Sequence, residues 1–474
     1  MMRALLFYTS PYVAYVLTYM LQQFDYDSRA LLQWWLHDLR LQKVLRRGKL
    51  DLTLRARVTL GLLLVAWLAL AVALVYAVYA TNDWRVALLY FVIPFLMLLI
   101  TVALNAVAQA LVNRRRQQMV DRVFMSLHEH KAKRIAVLGS YGKTTLKELL
   151  VAVFAESDSH KVASTQKNEN VLISQARWTQ QLEGDEDVLI AEFGEEKPGD
   201  IAKMSAFIEP NVAIVTGIAP MHVGGYGSVA GIKQDLLSIK DYVNDHVYLN
   251  TDSAYLDEDD ADTADFAGYN SRTVGEWQIS NVAVHIEGLS FVMKRAGTSI
   301  KINSGLVGRH LVAPIALSVA IAADFGVPIE VIQRALAATK PFAHRMQPYR
   351  LNGAWVIDDT YNGNITGMKA GLALLAELPA KRKLYVTPGL VEQGGHSQQT
   401  HHELGQAIAQ AAPDKIYLFD NSVKRYIVEA LDSAGYAGEV HIVRDALKFY
   451  GSLDLLVSAG DIIMLQNDWP DGYV

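Results

Sequence analysis

Arg134-Ile-Ala-Val-Leu-Gly-Ser-Tyr-Gly-Lys-Thr-Thr-Leu-Lys-Glu148 is the stretch whose reading decides the fold. A short apolar run, Ile135 to Leu138, stops at Gly139. Ser140, Tyr141 and Gly142 follow, then Lys143-Thr144-Thr145 and a helical pattern through Leu149, Leu150 and Val153. Strand, glycine turn, helix start is how a chain holds a phosphate. Glycines let backbone N–H groups turn inward, and the helix N-terminus adds partial positive charge. A lysine at 143 reaches the outer phosphates, and a hydroxyl at 144 holds Mg²⁺. Val137 stands where strict Walker spacing wants glycine, so the generic motif is incomplete. The shorter Gly139-Ser-Tyr-Gly142-Lys-Thr-Thr145 still predicts a nucleotide loop, against the plainer reading of a βα turn that happens to carry a lysine.

The chain has 474 residues, room for about three domains at ~150 each. Half of it is apolar, and the excess lies before residue 115. The formal charge of −5 gives no general affinity for nucleic acid. With no cysteine, disulfides, thiolate metal sites and cysteine nucleophiles are excluded.

Three uncharged stretches come first: Ala4–Phe24, Val58–Ala80 and Val86–Val112. A membrane helix needs ~20 apolar residues, so these predict spans at about 4–24, 58–80 and 86–112. A cleaved signal peptide is the competing reading for the first, and a buried core hairpin for the others. Arg40, Lys43, Arg46, Arg47, Lys49, Arg55 and Arg57 lie between the first two, and Arg114–Arg116 follow the third. The positive-inside rule then puts the N-terminus outside and everything after Arg114 in the cytoplasm. The expectation is a multi-pass protein of the cytoplasmic membrane. Leu31, Leu32, Trp35, Leu36 and Leu39 recur at helical spacing within 28–47. They predict an amphipathic helix that either lies among lipid headgroups or packs on the spans.

From Lys131 the chain alternates strand-like and helix-like segments, the pattern of a parallel α/β sheet. Strands are expected at 135–138, 188–192, 212–216 and 246–250. Short β runs fill 269–305, and a helix follows over 313–325. A second α/β pattern has strands at 354–357, 383–387, 415–419, 439–443 and 461–465. The predicted organisation is a membrane region (1–116), a nucleotide-binding central domain (117–339) and a C-terminal domain (340–474).

Acids at the carboxyl ends of parallel strands face the crevice where ligands bind. Glu192 holds such a place and could join Thr144 on Mg²⁺, which takes oxygen ligands. A helix-capping or surface acid is the alternative. His222 follows the strand at 212–216, where a loop histidine is most simply solvated. Asp358-Asp-Thr-Tyr-Asn-Gly-Asn364 makes a polar edge after a strand, in residues that also favour plain turns.

Taken together and in order, these segments resemble the Mur ligase family over residues 131–474. The matching blocks are Gly139–Glu148; Asn168-Glu-Asn170; Glu192-Phe-Gly194 with Pro198-Gly-Asp-Ile201; and Thr216–His222 with Tyr226-Gly-Ser228. Further on come Gly308-Arg-His310, Arg345, Asp358–Asn364, Pro388–Gly394 and His402-Glu-Leu-Gly405. They look closest to the branch that joins D-alanyl-D-alanine to UDP-MurNAc-tripeptide (MurF-type). The resemblance implies a P-loop central domain and a smaller Rossmann-like C-terminal domain behind an α-helical membrane region. It also implies an ATP- and Mg²⁺-dependent amide ligase that works through an acyl phosphate. Carried over residue by residue, Gly139, Ser140, Gly142, Lys143, Thr144 and Thr145 hold the phosphates, with Lys143 on the outer ones. Thr144 and Glu192 hold one Mg²⁺, and His222 serves a second metal. Asn168 and Asn170 line the acyl side. His310, Arg345 and Asp359 contact the nucleotide, the last two from the C-terminal domain.

Three departures stand out. The family's carbamylated lysine falls on Leu236, with Lys233 about one turn away on the same side. The Gly-x-His-Asn-x-x-Asn block reads Gly308-Arg-His310-Leu311-Val-Ala-Pro314, without either asparagine. Apolar segments replace the domain that grips the UDP moiety. The expected partners are a UDP-linked or lipid-linked cell-wall peptide precursor, an amino acid or dipeptide, membrane lipid and other wall-synthesis proteins. Two alternatives share the site: a ligase for another acceptor or amine, and a catalytically weak nucleotide-binding scaffold.

Overall fold

The computed structural model describes residues 10–37, 50–166, 169–220, 223–256, 266–361, 363–390 and 396–467. The chain forms two compact units, divided between Asp121 and Arg122.

In the first unit, α1 (Tyr12–Gln23) follows Pro11. Its 12 residues make a helix of roughly 18 Å, short of the ~30 Å hydrocarbon layer. Of the expected span at 4–24, residues 4–9 lie outside the described residues, and the described part holds the helix at 12–23. It buries Val13, Val16, Leu17 and Met20 in the unit's own core. In α2 (Ser28–His37), Leu31, Trp34 and Trp35 enter the same core. That face packs on neighbouring helices; positions 38–47 of the expected amphipathic helix lie outside the described residues. Thr53 caps α3 (Leu54–Thr81), its side chain accepting from Ala56 N at 3.2 Å, and Asn82 ends it in a left-handed conformation. A 3₁₀ stretch, Trp84–Val92, leads into α4 (Ile93–His128). The helix outruns the expected 86–112, because Arg114–Arg116 end the apolar run without breaking helical propensity. By length and composition, Leu54–Thr81 and Trp84–His128 could each cross a membrane. Val65, Leu68, Val72 and Val75 are exposed along α3.

The second unit is built on two sheets. Among the described residues the first has ten strands, in the order β10-β9-β8-β7-β6-β5-β4-β1-β3-β2. β1 (Lys133–Leu138) is followed by α5 (Lys143–Ala155) and β2 (Val162–Ser164), then α6 (Leu172–Thr179) and β3 (Val188–Glu192). Next come α7 (Asp200–Ile208), β4 (Val212–Val215), α8 (Val229–Leu237) and β5 (His246–Asn250). β6 (Ala267–Tyr269) closes the parallel half. β7 (Thr273–Val274), β8 (Trp277–His285), β9 (Gly288–Arg295) and β10 (Thr298–Ser304) add an antiparallel flap. The central strands are apolar throughout because both faces are covered: Ile135, Val137, Ile190 and Ile214 are fully buried. α9 (Val312–Asp324) supplies much of the cover, with Ile315, Ala316 and Val319 inaccessible; α10 (Ile329–Ala337) follows it.

The second sheet runs β11-β12-β16-β13-β14-β15. β11 (Gln347–Leu351) pairs antiparallel with β12 (Ala354–Asp359). The rest is parallel: after α11 (Ile365–Glu377) come β13 (Lys383–Thr387), α12 (Ser397–Ala411), β14 (Lys415–Phe419), α13 (Lys424–Ser433), β15 (Glu439–Val443) and β16 (Ile462–Gln466). The strands expected with stated bounds are observed to within about two residues, whereas β2 and β11 are not among those expected. Buried parallel strands are short apolar runs cut off by Gly, Pro or charge, and the sequence displays them as such.

At the start of this unit, Arg134 is buried and closes the end of α4. Its guanidinium donates to Leu127 O (2.5 Å), His130 O (3.0 Å) and Ile208 O (3.1 Å) and pairs with Glu209 (3.0 Å). Carbonyls that a helix end would leave orphaned are thereby satisfied.

Candidate active site

β1 and β4 are neighbours whose following connections leave in opposite directions, which makes the switch point where α/β sheets bind ligands. The loop after β1 lies there. Gly139 (φ +133°) and Gly142 (φ +78°) take conformations that L side chains resist. A Cβ on Gly139 would run into Thr216 Oγ1 and lie 2.9 Å from the Gly217 carbonyl. Ser140 N donates to Gly217 O at 2.8 Å, tying the loop to the end of β4. Among the described residues no side chain caps α5, whose N-cap is Gly142.

Lys143 Nζ donates to the Gly139 carbonyl and to Glu195 Oε2, the latter at 2.9 Å. Thr144 Oγ1 donates to Glu192 Oε2 at 3.0 Å. Glu192 is 4% exposed. Its N–H donates to Thr165 Oγ1 and its carbonyl accepts from Gln175 Nε2. Lys147, fully buried, donates to Thr165 O at 2.7 Å and lies 3.6 Å from Glu192. Asn170 meets the same turn: its carbonyl accepts from Gly194 N at 2.6 Å, and its side chain packs against Gly194. The structure thus brings together Gly139, Ser140, Gly142, Lys143, Thr144, Glu192 and Asn170. Thr145 sits in the first turn of α5 without a side-chain hydrogen bond among the described residues.

Asn168 and His222 lie outside the described residues. Lys233 is half-buried on α8, and Leu236 on the same helix is inaccessible. His310 is exposed, its ring packed on Gly308. Beside it, Arg309 pairs with Glu377 of α11 at 2.6 Å, joining the segments that carry the two sheets.

Arg345 and Asp359 form a second group. His344 and Met346 on either side of Arg345 both have positive φ (60° and 45°). His344 Nδ1 lies 2.8 Å from Asp358 Oδ2, and Met346 N donates to Asp359 Oδ1 at 3.2 Å. The Arg345 guanidinium is held 4.5 Å from the centre of the Tyr361 ring. Burial pushes the Asp359 carboxyl up to about 6; hydrogen bonds from Gln466 and Met346 oppose the shift, Asp358 adds to it, and Arg345 opposes it. Gln466 and Asn467 were not foreseen as site residues; neither forms a motif, and only the parallel pairing of β12 with β16 brings them to Asp359. The two groups share no hydrogen bond or ion pair among the described residues.

The residues present fit a nucleotide phosphate with Mg²⁺. The loop tolerates no Cβ at Gly139, and Ser140 Oγ is buried without a hydrogen-bond partner among the described residues. The first turn of α5 offers uncapped N–H groups. Thr144 and Glu192 present two oxygens side by side, and Mg²⁺ commonly takes one or two protein oxygens plus phosphate and water. Among the described residues no cluster of three His, Asp or Glu forms a metal cage.

Fold and site define a two-sheet α/β protein with a glycine loop of phosphate-holding form at the switch point of its larger sheet. Residues 137–322 match the Mur ligase middle domain, and residues 344–466 the Mur ligase, glutamate ligase domain. The chain belongs to the Mur ligase family. It is 27% identical over 294 residues to the UDP-N-acetylmuramoyl-tripeptide--D-alanyl-D-alanine ligase of Buchnera aphidicola (60% of this chain, 64% of the relative). It is 25% identical over 300 residues to the Escherichia coli protein of the same name, again 60% and 64%. The match therefore spans just under two thirds of those relatives. MurF ligase from Thermotoga maritima, solved in complex with ADP, shares the fold with a TM-score of 0.63 at 20% identity, over 74% of this chain and 80% of that one.

Proposed function

We propose that this chain is a membrane-anchored, ATP- and Mg²⁺-dependent amide ligase acting on a cell-wall peptide precursor, with D-alanyl-D-alanine as the incoming amine. The observation that carries the proposal is the hydrogen bond of Thr144 to Glu192, beside Lys143, at the carboxyl ends of β1 and β3. Its family membership and the names of its curated relatives point to the same reaction class. In that class a carboxylate is activated as an acyl phosphate and captured by an amine.

ATP would supply the phosphoryl group and Mg²⁺ would neutralise its charge. The chain's part is binding and orientation. Gly139, Ser140 and Gly142 offer backbone N–H groups, Lys143 the charge for the outer phosphates, and Thr144 with Glu192 the oxygens for the metal. Thr145 adds a hydroxyl to the first turn, Asn170 lines the acyl side, and His222 would serve a second metal. Arg345, Asp359 and His310 would hold the nucleotide from the other side. Lys233 would stand near the position of the family's modified lysine.

Membrane attachment through α3 and α4 places the ligase where a lipid-linked precursor is available, and the precursor is either that or a UDP-linked one. Leu236 and Pro314 favour a second reading, a catalytically weak nucleotide-binding scaffold that gathers wall-synthesis proteins at the membrane.

Phosphate release by the purified protein tests the proposal, with ATP and Mg²⁺ over a panel of precursors and amines. Release that requires both an acceptor and D-alanyl-D-alanine is expected, as is its loss in Lys143→Ala. Release that never depends on an added amine would leave the scaffold reading. Turnover on UDP-linked but not lipid-linked tripeptide would sink the lipid-linked option.

A further inference from the structure

Glu195, three residues beyond β3, reaches the phosphate loop, and the proposed reaction does not use it. Its side chain is 2% exposed, and Lys143 beside it is 14% exposed. Their 2.9 Å contact pairs a carboxylate with the one lysine placed to serve a nucleotide's outer phosphates. Nothing about this position is loose. Gly194 is pinned by its N–H to Asn170 O at 2.6 Å, and a Cβ there would lie 2.9 Å from Asn170 Cγ and O. The backbone before Glu195 therefore cannot drift, and the carboxylate is delivered to the same place each time. Lys143 spends two of its three donors on the Gly139 carbonyl and on Glu195.

A buried carboxylate at this point works against a phosphate. Like charges repel strongly where water is excluded, and one ammonium cannot fully serve two anions. On the reading of the loop as a nucleotide site, we infer that Glu195 is a latch on Lys143. It is a positioning residue that holds the lysine in the nucleotide-free protein and must be displaced by the outer phosphates. Glu195 thus sets nucleotide affinity by competition for one lysine. The discrimination falls on nucleotides that carry outer phosphates, because those are the ones Lys143 reaches.

Isothermal titration of the full-length protein in detergent micelles tests this with ADP and AMP as probes, each with and without Mg²⁺. Glu195→Gln keeps the shape and removes the charge. It is expected to bind ADP about tenfold more tightly, the low end of what a close buried charge pair contributes. AMP binding should stay at the wild-type value. Glu195→Asp, which draws the carboxylate back by one methylene, should fall between the two and serves if the glutamine variant does not fold. Equal ADP affinity in all three proteins would overturn the latch. So would ADP and AMP shifting together, since that marks a structural effect. Weaker ADP binding confined to the Mg²⁺ arm would overturn it in favour of a metal ligand. Wild-type protein that binds neither nucleotide would remove the nucleotide reading itself, whereas wild-type ADP binding with no gain in Glu195→Gln removes only the latch.

Discussion

Gln466 Nε2 donates to Asp359 Oδ2 at 2.8 Å and so joins the ends of two adjacent parallel strands, β16 and β12. Asp359 is half-buried and held by protein donors, and burial leads the shift of its carboxyl to about 6. The consequences for stability and activity have opposite signs. A carboxyl raised above its unfolded value of 3.8 binds a proton more readily in the folded chain. Its contribution to stability therefore improves as pH falls from about 6 toward 3.8. If the carboxylate is the form that meets the nucleotide, activity falls over that same window. Phosphate release measured against pH should lose its acid limb near 6 in Asp359→Asn, at a lower plateau. A limb that persists in the variant assigns it to another group.

Lys147 is inaccessible, and its charge is answered by Glu192 at 3.6 Å, Glu148 at 3.5 Å and the Thr165 carbonyl. Removing one member of a buried charge pair leaves the other uncompensated, at a cost of about 3–5 kcal/mol. Lys147→Ala should lower the melting temperature clearly. It should also weaken nucleotide binding, because Glu192 loses a neighbour that fixes its carboxylate. Lys147→Met, which keeps the packing, should recover part of the stability without recovering binding. Equal melting temperatures for wild type and Lys147→Ala would contradict this account.

Lys147 and Glu195 show where reading the sequence stops. Strands such as Val188–Glu192 are legible because burial on both faces demands an unbroken apolar run. The phosphate loop is legible because its glycines and lysine act through local backbone geometry. Lys147 stands in Thr-Leu-Lys-Glu, which reads as a solvated helix turn, yet it faces β3. Glu195 stands in Gly-Glu-Glu-Lys-Pro, which reads as a charged surface loop; only the close approach of Gly194 to Asn170 turns it inward. The stretch at 4–24 is apolar enough for a span, and within the described residues its helix at 12–23 buries Val13, Val16, Leu17 and Met20 in a core.

Glu186 accepts from Glu183 N at 2.8 Å and Gly184 N at 2.9 Å, and His130 Nε2 lies 2.9 Å away. Burial alone would push its carboxyl up. The two backbone donors and the imidazole outweigh burial and hold it at about 2. A depressed carboxyl stabilises the fold above its unfolded value of 4.5, and that stabilisation disappears as pH falls through about 2. In acid titrations of stability, the difference between wild type and Glu186→Gln should be largest above 4.5 and shrink toward about 2. A constant difference would show that the contact is insensitive to charge.

Gly139 offers the sharpest test of the loop. Two costs oppose a side chain there, and they can be separated. The first is backbone conformation, since φ +133° is poor for any L residue. A Cβ at Gly184 (φ +92°) would meet nothing within 4 Å among the described residues, so Gly184→Ala measures a backbone cost alone, about 1–2 kcal/mol. Gly139→Ala adds a clash with Thr216 Oγ1 and with the Gly217 backbone, whose N lies 3.0 Å from the built Cβ. Thr216→Ala removes only the first obstacle. The double variant Gly139→Ala/Thr216→Ala should therefore remain unable to bind ADP, while Gly184→Ala binds normally. Full recovery of ADP binding in the double variant would mean that the Thr216 side chain, and not the backbone of the loop after β4, forms the wall of the phosphate cradle.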